Sequence, residues 1–165
     1  MSRILGILTV LLLTSCAVNW ELTEKAKNVR AKELDAGTCS SLVVKTKKDR
    51  KSPSGKAHYC EYFRIKNSTD TIHAEVGTEI GVEFILIGDT RGNVPLTIVW
   101  TFPQEIETKR GRRIKKYSYK TSRSTHERMF ATYKLSKRFQ GVTGEWKLEI
   151  YHRRDLLMEK VFYLI

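Results

Sequence analysis

Hydrophobic and polar residues alternate along most of this chain, in short bursts parted by turn-forming clusters. The clearest burst is residues 79–87: Val82, Phe84 and Leu86 fall on one face of an extended segment, Ile85 and Ile87 on the other. A period of two is the mark of a half-buried strand. Residues 94–102 repeat the pattern, with Leu96, Ile98, Trp100 and Phe102 on one side and Thr97, Val99 and Thr101 on the other. A glycine-containing cluster at 88–93 joins these two runs, which predicts a hairpin. Pro103 should stop the second run, because it has no N–H for a ladder.

Weaker alternation marks further strands. Residues 28–34 begin the series, in competition with a weak helical pattern over 21–32, and Ala36, Gly37 and Thr38 read as a break. Residues 40–44 lead into a loop over 45–56, rich in turn formers. In residues 58–66, Tyr59, Glu61, Phe63 and Ile65 share a face. Tyr117 and Tyr119 lie together in another segment, and Met129, Ala131, Tyr133 and Leu135 align in residues 126–135. The chain ends on a hairpin: Trp146, Leu148 and Ile150 alternate with Lys147, Glu149 and Tyr151, the chain turns at 153–155, and residues 156–165 return. Seven to nine short strands with no sustained helical pattern predict an all-β, antiparallel sandwich over residues 28–165.

The first residues follow another rule. Arg3 precedes an apolar run at 4–13, then come Thr14, Ser15 and Cys16. The run has signal-peptide length and is short for a membrane span, which needs roughly 20 apolar residues. Leu13, Thr14, Ser15 and Cys16 resemble the lipobox of bacterial lipoprotein precursors. That resemblance implies removal of residues 1–15, a diacylglyceryl group on Cys16, and a tether over 16–27. The alternative is an ordinary cleaved signal with an incidental cysteine. Ala17 follows the cysteine where an Asp would retain an enterobacterial lipoprotein in the inner membrane, so the expected location is the outer membrane, facing the periplasm.

A second resemblance rests on Val76, Gly77, Thr78, Glu79, Ile80 and Gly81; on Leu86, Ile87, Gly88, Gly92 and Pro95; on Phe102 and Pro103; and on Gly144, Glu145 and Trp146, with Leu156, Glu159, Lys160 and Phe162 closing the series. In this order and spacing they resemble a bacterial family defined only as a domain of unknown function. The family implies an immunoglobulin-like sandwich and brings no activity, so no catalytic residue is carried over. Gly77 and Gly81 suit tight backbone positions, and Trp146 reads as core.

Charge changes the picture next. The formal net charge is +12 over 165 residues, which suggests an anionic neighbour. Export excludes nucleic acid and leaves anionic lipid, lipopolysaccharide, peptidoglycan or an acidic protein, besides a merely solubilising surface. The candidate binding residues are Lys47, Lys48, Arg50 and Lys51 in one loop and Lys109, Arg110, Arg112, Arg113, Lys115 and Lys116 in another. With Cys16 assigned to lipid, an oxidising compartment predicts a disulfide between Cys39 and Cys60, the alternative being two buried thiols.

Catalytic chemistry finds little purchase. The chain holds no GxSxG, HExxH or phosphate-cradling loop, and His58, His73, His126 and His152 lie far apart in sequence. No cofactor and no metal site is expected. The reading is a non-enzymatic envelope lipoprotein that binds a protein or an anionic envelope component. The alternatives are an envelope enzyme acting on cell-wall or lipid substrate through a non-obvious site, and an assembly subunit pairing through an edge strand.

Overall fold

The alternating segments pair into two stacked sheets in the computed structural model, which describes residues 28–89, 91–135 and 142–165. The expected leader, Cys16 and the tether up to residue 27 lie outside them. Among the described residues there are nine strands and no helix: β1 (Arg30–Lys48), β2 (Lys56–Ser68), β3 (Thr71–Ile72), β4 (Glu79–Ile87), β5 (Asn93–Glu107), β6 (Arg113–Ser124), β7 (Arg128–Lys134), β8 (Gly144–His152) and β9 (Asp155–Leu164). One sheet runs β2-β1-β4-β7 and the other β3-β9-β8-β5-β6. All pairs are antiparallel except β3 with β9. The fold is an immunoglobulin-like sandwich.

The core lies between the sheets. Ile80, Val82, Phe84 and Leu86 of β4 and Met129, Ala131 and Tyr133 of β7 face Leu96, Ile98, Trp100 and Phe102 of β5 and Trp146, Leu148 and Ile150 of β8. Trp146 is fully buried. Its ring meets Phe102 edge-on at 4.8 Å and Tyr133 at 5.3 Å, and its Nε1 donates to the Val142 carbonyl at 3.0 Å. Pro103 lies beside Gly144, where an added Cβ would stand 2.9 Å from the proline ring. The Phe102–Pro103 and Gly144–Trp146 motifs, 42 residues apart between Phe102 and Gly144, thus form one contact. Gly81 is equally tight, against the Ala131 carbonyl and the Cys39 sulfur.

Three boundaries differ from the sequence expectation, each for a local reason. Gly37 is a close approach and not a break: a Cβ there would run into the Asn67 carbonyl, and β1 passes straight through. The strand therefore spans 19 residues, about 60 Å at the usual rise. Pro103 does not end β5. It falls where the ladder to β6 is interrupted between Thr101 and Ile106, so its missing N–H leaves no partner waiting. The basic loops are also shorter than expected, since Lys45 to Lys48 pair in β1 and Arg113, Ile114 and Lys116 pair in β6.

The expected hairpin between residues 79–87 and 94–102 is corrected as well. β4 pairs with β1 and β7, while β5 pairs with β6 and β8, so the chain crosses from one sheet to the other. Both strands carry an apolar face that must meet the same core from opposite sides. The crossing is fastened to a second one: Thr125 N donates to Gly92 O at 3.0 Å, Gly92 N to Thr125 Oγ1 at 3.0 Å, and His126 N to Leu86 O at 2.7 Å. The closing hairpin of β8 and β9 falls where the pattern put it.

A basic cleft as the candidate functional site

β1 and β2 leave the body of their sheet together. β4 covers β1 only from Arg30 to Thr38, while the β1–β2 ladder runs on to Lys48 opposite Lys56. The far half is a two-stranded ribbon ending in a turn at residues 49–55. An Asp49 carboxylate oxygen accepts from Lys51 N at 2.9 Å, Asp49 N donates to Gly55 O at 3.1 Å, and Gly55 N to Ser52 O at 2.9 Å. These local bonds are the usual chemistry of Asp, Ser and Gly in turns.

The β5–β6 hairpin brings a second turn to the same place. Thr108 N donates to Arg112 O at 2.8 Å and Gly111 N to Thr108 O at 2.9 Å, with Gly111 at φ 75. The two turns are joined through backbone. Lys109 N donates to Pro53 O at 2.8 Å, and Arg112 Nη2 reaches Arg50 O at 3.4 Å. Ser52, Pro53 and Thr108 are buried beneath the junction. Tyr117 lies below it too; burial, with the Asp49 carboxylate nearby, raises its phenol above the ordinary range.

Between the turns lies a cleft of about 510 Å³ lined by Thr46, Lys47, Lys48, Asp49, Arg50, Gly55, Lys56, Lys109 and Arg110. Its six cations face one carboxylate. Among the described residues none of the six forms an ion pair; the pairs present are Arg128–Glu83 and those of Lys147 and Lys160, elsewhere on the molecule. Lys47 Nζ sits 5.2 Å from the Tyr59 ring centre, and Thr46 Oγ1 and His58 Nδ1 are 3.0 Å apart. Such a cleft can hold an anion carrying several charges, with arginine offering a fork and lysine a point charge.

Of the ten cations expected from sequence, Lys47, Lys48, Arg50, Lys109 and Arg110 line the cleft. Arg112 braces it through Arg50 O. Lys51 is exposed on the turn, Arg113 stands opposite Glu107, and Lys115 and Lys116 are exposed on β6. Lys56 was not among the expected residues; its signal was the register, since a hairpin closed at Lys48 must put Lys56 across from it.

The structure does not join Cys39 to Cys60. Both are free thiols, Cys39 buried and Cys60 half-buried. Cys39 stands opposite Ile65, whereas Cys60 stands opposite Val43. They are four ladder positions apart, on the order of 13 Å, and a disulfide needs Cα atoms within about 7 Å. Cys39 packs against Gly81, and burial, reinforced by the Glu79 carboxylate, pushes its thiol well above the ordinary range. Phe63 of β2 and Phe130 of β7 stack at 4.8 Å.

An immunoglobulin-like protein from Pseudomonas aeruginosa shares this fold, with 23% identity over 84% of this chain and 97% of its own, at a TM-score of 0.59. An alkylpurine DNA glycosylase from Pseudomonas fluorescens, bound to DNA containing an abasic-site analogue, aligns at 11% identity over 82% of this chain and 30% of its own, at a TM-score of 0.41, which is too weak to carry an argument. No curated protein matches the sequence. The family described as Domain of unknown function (DUF3859) matches residues 34–164, nearly the whole sandwich with both basic turns, and the chain belongs to that family.

Proposed function

We propose that this chain is a non-enzymatic module of the bacterial cell envelope, held to the outer membrane by lipid on Cys16, which binds an anionic envelope component in the basic cleft. The observation that carries this reading is the meeting of the two basic turns. Six cations gathered around a single carboxylate, that of Asp49, repel one another. Here one backbone bond between the turns, Lys109 N to Pro53 O, and the Arg112 guanidinium on Arg50 O hold them. A site built that way takes its neutralising charge from outside. The family brings no activity that would favour an enzymatic reading, and the cleft is rich in binding groups.

The test is calorimetry with a short inorganic polyphosphate at low and at high salt. Replacing Lys48, Arg50, Lys109 and Arg110 together by Gln should weaken binding at least tenfold at low salt and flatten its salt dependence, since exposed charges are screened beyond about a Debye length. Equal affinity in the two proteins would overturn the reading. For the anchor, Cys16→Ser should abolish incorporation of labelled palmitate in cells; continued incorporation would rule the anchor out.

A further inference from the structure

The cleft closes one end of a ribbon whose middle is apolar and exposed. Leu42 is 55% exposed, Val43 45%, Val44 50%, Tyr59 48% and Tyr62 80%. Val44 and Val43 lie four and five residues before Lys48, roughly 13–17 Å along the strand. Leu42 shares a face with Tyr59 while Val43, opposite Cys60, lies on the other, so the apolar residues and the cations share the outer half of the ribbon, and the Lys47 ammonium over Tyr59 joins the two. Sandwich proteins normally protect such edges with charge or cover them. This ribbon carries its charge at the tip and leaves aliphatic and tyrosine side chains outside just behind it.

We propose that the β1–β2 ribbon docks on the surface of an anionic lipid bilayer. The cleft cations take lipid phosphates, and Leu42, Val44, Tyr59 and Tyr62 enter the interfacial layer. This rests on the reading of the cleft as an anion site, and names the anion as lipid. Tyrosine suits the membrane–water boundary, having an apolar ring and a polar tip. Basic residues beside it add attraction to an anionic leaflet.

Two other occupants fit less well. A strand from an acidic protein needs a continuous edge, and β2 is broken by a bulge at Tyr62, where φ is 52. A second copy of this chain would bring two cationic tips together.

Backbone amide exchange tests the proposal on the full chain. Exchange is followed in vesicles of phosphatidylcholine alone and of phosphatidylcholine with phosphatidylglycerol, so that any anchor is common to both. Exchange over residues 42–62 should slow at least fivefold on the anionic vesicles only. Tyr62→Ser, alone and with Leu42→Ser and Val44→Ser, should lose that protection while keeping polyphosphate affinity. If polyphosphate binds in the cleft but vesicles give no protection, the bilayer proposal falls and the cleft reading survives. If neither binds, both fall. Protection by poly-glutamate and not by vesicles would also overturn the proposal, in favour of an acidic protein.

Discussion

Trp146 and Lys48 sit in one fold under opposite conditions. Trp146 is sealed among Phe102, Tyr133 and the Gly144–Pro103 contact, with its indole N–H satisfied by Val142. Lys48 stands in solvent on a ribbon that β4 no longer covers, in a cleft held by turn chemistry and backbone bonds. The first region is ordered by removal of apolar surface from water. The second is ordered by ladder geometry, and its like charges work against it. The difference teaches where function can be placed: a charged ribbon can change without disturbing the sandwich, and the sandwich can be damaged without altering the chemistry of the cleft.

The largest effect that would break this separation lies in the core. Trp146→Ala should cost about 3–5 kcal/mol of folding stability in denaturant titrations, while polyphosphate affinity of the remaining folded protein stays unchanged. A matching loss of affinity would show the regions to be coupled. Gly144→Ala should cost on the order of 2 kcal/mol, because φ is 115 and the new Cβ meets Pro103 at 2.9 Å. An unchanged denaturation midpoint would mean that the Gly144–Pro103 contact relaxes freely.

Alkaline pH acts on both regions at once. Burial raises the phenols of Tyr133 in the core and of Tyr117 and Tyr119 on β6. The fold keeps each neutral, whereas the unfolded chain ionises near the ordinary value of about 10. Stability is therefore intact below that value and is lost as pH rises above it. Denaturation midpoints should stay level to about pH 9 and fall beyond, and the tyrosinate signal of Tyr117, Tyr119 and Tyr133, isolated by comparison with each Tyr→Phe variant, should appear only on unfolding. Early tyrosinate from these three in the native protein would place their rings in water. The smallest effect belongs to the four-site Gln variant of the cleft, whose stability should be unchanged or slightly raised as like charges are removed. A clear loss of stability would make those cations structural.

Much of the sandwich was legible because its strands alternate cleanly. Residues 79–87 form β4 to the residue, and Trp146 is core. What was hidden was hidden by tertiary contacts. Gly37 and Pro103 carry the chemistry of breaks, yet each answers a neighbour distant in sequence, Asn67 and Gly144. Pairing was hidden too, since alternation states that β4 and β5 each bury a face but not that they bury it from opposite sheets. In the site, the two basic stretches were visible as charge. Their meeting was not, because it depends on a backbone bond between two turns more than fifty residues apart, from Lys109 to Pro53. The cysteine pairing failed on register, which compartment reasoning does not contain.

β1 also has a mechanical consequence. The chain enters it at Arg30, beside the Asn28–Asp89 contact, and the cleft lies at its other end, at Lys48. A pull between the incoming chain and a ligand held in the cleft is directed along this single strand. The ladder bonds to β4 and β2 lie across that direction. They are loaded in shear, sharing the force, and do not open one after another like a zipper. β1 is thus the tension member of the molecule, and it joins the two ends without routing the load through the aromatic core.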